Sequence, residues 1–422
     1  MNVYRQLWAI PGARMLLVGG TVARLGHGVT IVAWVLLIRA VGGSYTEAGL
    51  VAGTISLATA FAAPVAGRLV DRYSAARVVP LYALVYTVGQ LCLLCTVLLD
   101  GPTTVLLVFA GVTGAGFPPM SPSIRAAWTH LTDGGPHAPL RSAAMAAEST
   151  VFELVFVAGP LIVSLCVLLT GSTSGSATFG TAVAIGLASI STLVGTLVVC
   201  RGCAIRALRR VPESPPTVGV GPLRIPRFVL LLTVTAGVAL SFGAAPVAIT
   251  AFTENGSETG GVSAGVLIAV WSAGSAAGGL AYGLLSGACT TRELLGRLVA
   301  VLLVLGTGYG LWQLATGPVV MGAFLLVTGA VIAPATTILA ELVAVTVPRF
   351  MLTEGYTWFT CANMSSAALG AAVAGRLVDT APGVRGAFWA CALAVAFSCV
   401  VAVATMRRAD HAPDSQSVTE PV

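Results

Sequence analysis

Residues 65–71 read Val65-Ala66-Gly67-Arg68-Leu69-Val70-Asp71, and the same seven residues return as Val373-Ala374-Gly375-Arg376-Leu377-Val378-Asp379. A shorter form, Val157-Ala158-Gly159, places its glycine 92 residues after Gly67, and Gly283 stands 92 residues before Gly375. The two pairs are offset by 216 residues. Phe109, Gly114 and Pro119 return as Phe324, Gly329 and Pro334, offset by 215. Equal spacing of this kind marks an internal repeat of four units.

Outward from these anchors the chain is a series of apolar runs. They predict membrane-spanning helices at roughly 15–38, 46–66, 78–99, 103–123, 142–169, 179–199, 228–252, 262–286, 298–315, 319–343, 353–375 and 386–406, each about 20 residues, the length that crosses a bilayer. Each unit is then three helices, with its glycine late in the second. Short turns such as Asp100-Gly101-Pro102 and Thr316-Gly317-Pro318 join them. The stretch 201–227 differs, with six Arg and a Pro- and Gly-rich second half, and divides six helices from six. The expected fold is an all-α membrane protein of twelve transmembrane helices in two pseudo-symmetric six-helix bundles. Residues 1–200 form the first bundle, 201–227 a cytoplasmic linker, 228–406 the second bundle and 407–422 a polar, disordered tail. Inverted three-helix units nested in two halves are a design of secondary transporters.

Composition agrees. Hydrophobic residues make up 56% and charged residues 9%, and mean hydropathy is +0.93. A soluble domain carries about a quarter charged residues. The chain contains 22 Arg and no Lys, so it cannot supply the lysine of a phosphate-cradling P-loop and carries no ATPase of that type. The Ala-, Val-, Gly- and Arg-rich composition resembles that of a high-GC bacterial genome. The pI near 9.0 reflects Arg scattered over short loops, which speaks for membrane orientation and against nucleic acid. With the N-terminus inside, eighteen Arg fall on the inner side; Arg39, Arg376 and Arg385 fall outside, and Arg24 within the membrane. Both termini are therefore expected in the cytoplasm. Nine Cys and four His are too dispersed for a metal centre, and no cleavable signal stands out.

The stretch Gly67-Arg68-Leu69-Val70-Asp71-Arg72-Tyr73-Ser74-Ala75-Ala76-Arg77, between the second and third helices, resembles the loop signature G-x-L-x-D-R-x-G-R-R/K of the major facilitator superfamily. The departures are Ser74 for Gly and Ala75-Ala76 for basic residues. The resemblance, which covers essentially the whole chain, implies a gating loop. In it Gly67 allows a close helix approach, Asp71 faces the positive N-terminal end of the eleventh helix near Leu352, and Arg72 and Arg77 hold the loop inside. In the second half Gly287 stands where Asp71 would be. Gly159-Pro160 is similar to the core of the family's antiporter motif and implies a hinge in helix five, although Val155 and Val163-Ser164 replace the flanking glycines. Ala110 stands where proton-coupled members carry an Arg on helix four. The character is that of drug and metabolite efflux members.

Ionisable groups inside a membrane are functional candidates by default. Arg24 and Glu153 lie at similar depth in helices one and five, roughly 15 Å in at 1.5 Å per residue, and are expected to pair. His27 is one turn from Arg24, and Glu148 is about 140° around helix five from Glu153. The pair can serve coupling or simply hold two helices together; sequence leaves both open. Asn363 is a further cavity candidate. Glu341, Glu354 and Arg349 read as a solvated gate or interface, and Arg125 as an inner-interface anchor.

Three Asn and four Gln in the whole chain are few for replacing the water of a sugar or peptide. Walls of Ala, Val, Leu and Gly with Trp34, Phe117, Phe242, Phe252, Trp271, Tyr282 and Trp358 suit a lipophilic or amphipathic substrate. The expected function is secondary transport by alternating access, most simply proton-linked efflux of a drug or secondary metabolite. The alternative is uptake of a small, anionic nutrient. A non-transporting receptor is disfavoured by the repeat, and a membrane enzyme by the lack of a clustered nucleophile or acid pair. No cofactor beyond an ion gradient, no nucleic acid, a lipid bilayer, a small-molecule substrate, a monomer and a multi-pass place in a bacterial cytoplasmic membrane complete the expectation.

Overall fold

The structure, a computed structural model, describes residues 2–170, 176–208, 221–255, 264–287, 289–380 and 383–410. Among the described residues there is no strand, and twelve long helical segments carry the chain. They are α1 (Gly20–Ala40, entered through a π-helical turn, Met15–Gly19), α2 (Tyr45–Tyr73), α3 (Ala75–Leu98), α4 in two pieces (α4a Thr103–Ala115 and α4b Met120–Leu131), α5 (Arg141–Leu169) and α6 (Ser176–Arg201). There follow α7 (Pro226–Asn255), α8 (Ala264–Leu285), α9 (Thr291–Leu311), α10 in two pieces (α10a Pro318–Ala330 and α10b Ile332–Thr346), α11 (Leu352–Val378) and α12 (Gly383–Asp410). Among the described residues nine of these are long and apolar enough to cross a membrane by themselves, and α1 passes as two segments bent by 42°. A short helix, Asn2–Ala9, precedes them.

Local chemistry sets the ends. Ser44 accepts a hydrogen bond from the Glu47 amide at the start of α2, and Thr290 and Glu293 cap α9 reciprocally. The Pro118-Pro119 pair removes two amide donors and separates α4a from α4b. α10 breaks at Val331, the position 215 residues after Gly116, so the interruption itself is part of the repeat. One boundary differs from expectation. α2 runs through the 67–77 motif as far as Tyr73, and α3 begins at Ala75, so the expected loop is a single residue, Ser74.

The described residues group into two compact units. The first comprises Met1–Pro222 with Gly279–Gly287 and Val347–Cys361, the second Leu223–Gly278, Ala288–Thr346 and Ala362–Val422. Of the expected linker, Cys203–Ala207 is helical and Gly221–Arg224 is a 3-10 turn, while 209–220 lie outside the described residues. α12 continues into the expected tail as far as Asp410, and 411–422 likewise lie outside.

The outer surface is apolar. Leu57, Phe61, Leu161, Leu168 and Val400 are each more than 60% exposed, while Gln90, Thr113 and Glu148 are wholly buried. That inversion suits a chain whose solvent is lipid tail.

Within each unit small residues bring helices together. A Cβ on Gly28 of α1 would meet the Val155 carbonyl, and one on Gly159 of α5 would meet the Gly28 backbone. In the second unit a Cβ on Gly243 of α7 would meet the Ala367 backbone, and one on Gly370 of α11 would meet the Leu240 carbonyl. Gly243 is 215 residues after Gly28. The crossing of α4a on α2 at Gly114 and Ile55 likewise returns as α10a on α8 at Gly329 and Trp271. Backbone contact at glycines is the packing that lipid-embedded helices favour.

Candidate functional site

Two groups of charged side chains lie in the first unit. The inner group is built on α1, α4b and α5. Arg24 forms an ion pair with Glu148, Nη1 meeting Oε1 and Nη2 standing 3.2 Å from Oε2. The same guanidinium donates through Nη1 to Ser121 Oγ (3.3 Å) and through Nε to the Gly20 carbonyl (2.8 Å). Arg24 is 3% exposed and Glu148 not at all. A two-pronged Arg–carboxylate pair of this kind satisfies donors and acceptors that would otherwise be desolvated and alone.

This corrects the expected Arg24–Glu153 pair: the partner of Arg24 is Glu148, and the Glu153 side chain lies outside the described residues. The reason is rotational. Glu148, Val155 and Gly159 stand at i, i+7 and i+11, one stripe of α5. Arg24 and Gly28 stand at i and i+4, one face of α1. The Gly28–Gly159 crossing turns those two faces together, and Arg24 and Glu148 meet below it. Depth alone had not distinguished the two glutamates. Gly159 and Pro160 also differ from the hinge expected of them in one respect, since α5 runs unbroken through Pro160 and Gly159 serves the crossing.

Arg125 joins this group. It lies one turn beyond Ser121 on α4b, only 7% exposed, so it is no surface anchor. Its guanidinium sits over the Phe359 ring, 5.3 Å from the centroid, in the field of Glu148 and Tyr356. Its Nε has no acceptor among the described residues. Thr129, the next turn on, shares a 3.1 Å hydrogen bond with the Tyr356 hydroxyl. The pattern Ser121–Arg125–Thr129, polar at every fourth residue between two helix breaks, was the available sign. His27 instead packs among rings, 4.8 Å from Phe117 and 6.0 Å from Phe152. Asn363, in the second unit, is half-buried and makes no side-chain hydrogen bond among the described residues.

A neutral network lies farther along α1. The Trp34 indole donates to Gln90 Oε1 (2.6 Å), and Gln90 Nε2 donates to Tyr86 (2.7 Å) and Thr30 (3.2 Å). All four are buried. Thr30–Trp34 and Tyr86–Gln90 are each i, i+4 pairs, a spacing that would have revealed two facing polar stripes.

The second group joins α2 to the start of α11. Asp71 accepts from the amides of Thr353 (3.1 Å, Oδ1) and Glu354 (2.7 Å, Oδ2). It caps a helix across 282 residues of sequence, where the unpaired amides and the helix dipole favour an anion. Arg68 holds Glu354 with both prongs, at 2.7 and 3.3 Å. Glu354 is 3% exposed, so the solvated position expected for it is corrected: it is a buried half of this lock. A Cβ on Gly67 would lie 2.9 Å from the Glu354 Cα, which is why the end of α2 can come so close. Arg72 and Arg77 are exposed, Arg72 stacking on Tyr73 at 5.2 Å. Arg349 and Arg141 both pair with Asp133, beyond the end of α4b. At α8, where the acid is missing, the Tyr4 hydroxyl donates to the Leu280 carbonyl (3.1 Å).

Ser74, the joint between α2 and α3, has φ +92° and ψ 143°, a conformation suited to glycine. It is the position at which the motif departs from Gly. Among the described residues no group of three or more His, Cys, Asp or Glu is placed to hold a metal ion.

These helices have relatives. Similar solved structures include a bacterial homologue of the iron transporter ferroportin in an outward-facing state (14% identity, TM-score 0.67, covering 93% of this chain and 99% of that one) and the human organic anion transporter MFSD10 (16%, 0.68, 93% and 99%). The E. coli fucose:proton symporter is similar in the same way (14%, 0.65, 94% and 99%). At such identities the likeness is one of fold. A sequence comparison with curated proteins gave no match. The sequence model of the Major Facilitator Superfamily matches residues 16–371, most of this twelve-helix chain, and the chain belongs to that superfamily of membrane transporters.

Proposed function

We propose that this transporter exports a lipophilic or amphipathic small molecule, a drug or secondary metabolite, in exchange for protons. In this reading it works as a monomer in a bacterial cytoplasmic membrane, both termini inside, with no cofactor beyond the gradient. The observation that carries the reading is the buried Arg24–Glu148 pair. In this reading the buried carboxylate, paired with Arg24 and with Arg125 nearby, alternates between a paired, charged form and a protonated, released form. Proton uptake by Glu148 dissolves the pair, and the freed helices α1 and α5 can then rock about their glycine crossing. Apolar walls and few amides support an amphipathic cargo.

The test is transport by proteoliposomes under an imposed pH gradient, with a panel of lipophilic cations and weak acids. Glu148→Gln, which holds the neutral state, is expected to abolish gradient-driven transport while keeping substrate exchange. Gradient-driven transport at the wild-type rate would remove Glu148 from the coupling. The rival reading, uptake of an anionic nutrient, is favoured by one observation, the buried Arg125 whose Nε has no acceptor. Weak acids carried inward with protons, and cations not carried at all, would select it.

A further inference from the structure

The Arg-rich end of the first bundle carries a groove separate from the Arg24 and Asp71 groups. The turn Ile10–Arg14 lies against the residues that follow α6. Gly12 has φ +90°, and a Cβ on it would stand 2.9 Å from Ala204 Cβ and 3.0 Å from Cys203 Sγ, so the turn is pressed home at a position only glycine fits. Between the two segments is a groove of about 470 Å³ lined by Trp8, Arg14, Met15, Arg201 and Cys203 among others. Arg14 and Arg201 are both exposed, and neither makes a hydrogen bond or ion pair among the described residues. Trp8 is 42% exposed. Directly along the two helices from the groove, Val18 and Val22 of α1 and Val194 and Val198 of α6 are 55%, 36%, 50% and 41% exposed. Tight packing of α1 on α6, where a Cβ on Gly195 would press on the Ala23 backbone, makes those valines one continuous apolar track.

We propose that this groove binds the phosphate headgroup of an anionic phospholipid, with its acyl chains laid along the α1–α6 valine track. Two guanidinium forks suit phosphate oxygens better than a zwitterionic headgroup, whose own cation they repel. Indole rings favour the headgroup level of a bilayer, and basic pockets between membrane helices take anionic headgroups. The apolar track argues for a lipid over a free phosphate ester, which would leave the valines uncovered.

The purified full chain is tested by native mass spectrometry and thermal unfolding with phosphatidylglycerol, phosphatidylcholine or glycerol 3-phosphate. Phosphatidylglycerol should be retained about 30-fold better than phosphatidylcholine, the preference that two surface guanidiniums confer, and should raise the melting temperature. The double variant Arg14→Gln/Arg201→Gln should lose that preference and melt like the wild type in phosphatidylcholine. Arg14→Lys/Arg201→Lys should keep most of it, which guards against a Gln variant that fails to fold. Equal retention of the two lipids, or a preference that survives in the Gln variant, overturns the proposal. Protection by glycerol 3-phosphate equal to that by the lipid also overturns it, in favour of a soluble anion.

Discussion

The two bundles share their packing and differ in their chemistry. The crossing at Gly28, which meets Val155 and Gly159 in the first, returns at Gly243, which meets Ala367 in the second, and Gly114 on Ile55 returns as Gly329 on Trp271. Yet where Arg24 stands in α1, the position 215 residues later is Ala239, wholly buried, and Arg125 is matched by the equally buried Ala340. The contrast teaches that backbone proximity, which depends on the absence of side chains, repeats independently of buried charge. The ionic group is an addition to one copy of a scaffold that stands without it.

The comparison can be broken most decisively at the pair itself. Glu148→Met alone leaves Arg24 buried without a carboxylate and is expected to cost about 3–5 kcal/mol, read as a large fall in the melting temperature of the purified protein. Arg24→Met with Glu148→Met removes both halves of the pair and should restore most of that stability while gradient-driven transport stays lost. A double variant that still pumps would mean the pair only joins two helices.

Next in size are the shared crossings. Gly28→Ala and Gly243→Ala should each cost about 1–3 kcal/mol, because the new methyl meets backbone that cannot rotate away. If the packing is one scaffold used twice, the two losses will be similar in thermal unfolding. A neutral Gly243→Ala beside a damaging Gly28→Ala would deny the equivalence.

The lock at Asp71 is a smaller effect. Asp71→Asn removes a charge from a helix end, worth about 0.3–2 kcal/mol, enough to shift a two-state equilibrium several-fold. Thiol accessibility of cysteines placed on either side of the membrane should shift accordingly, and an unchanged pattern would reduce the motif to a helix joint. Smallest is Ser74→Gly. Relief of the backbone at φ +92° is partly offset by the greater unfolded-state freedom of glycine, leaving a gain under about 1 kcal/mol; any loss of stability would show that Ser74 is not strained.

Sequence reading carried as far as its periodicities allowed. Apolar runs and the 215–216 spacing gave helix number and repeat, because burial in lipid leaves a signal twenty residues long. Asp71 was legible as a helix cap because the motif around it is short and specific. The partner of Arg24 was not, because depth along a helix says nothing of rotation about it. The information was present in the Glu148–Val155–Gly159 stripe, but it becomes usable only once Gly159 is known to face α1. Arg125 was misread for a related cause: an Arg near a predicted helix end looks like an interface residue until the Pro118-Pro119 break shows that a further helix, α4b, continues past it.

One contact has a mechanical consequence. Gly221, at φ +54°, lies so near Glu354 that a Cβ there would strike the carboxylate, and Glu354 is the residue that Arg68 grips and whose amide Asp71 holds. The covalent connection between the halves is therefore clamped a few residues before α7 begins, at the same carboxylate that latches α2 to α11. Glu354 thus serves three neighbours at once, and a neutral residue in its place would loosen the Arg68 grip and the seat of the Gly221 turn together.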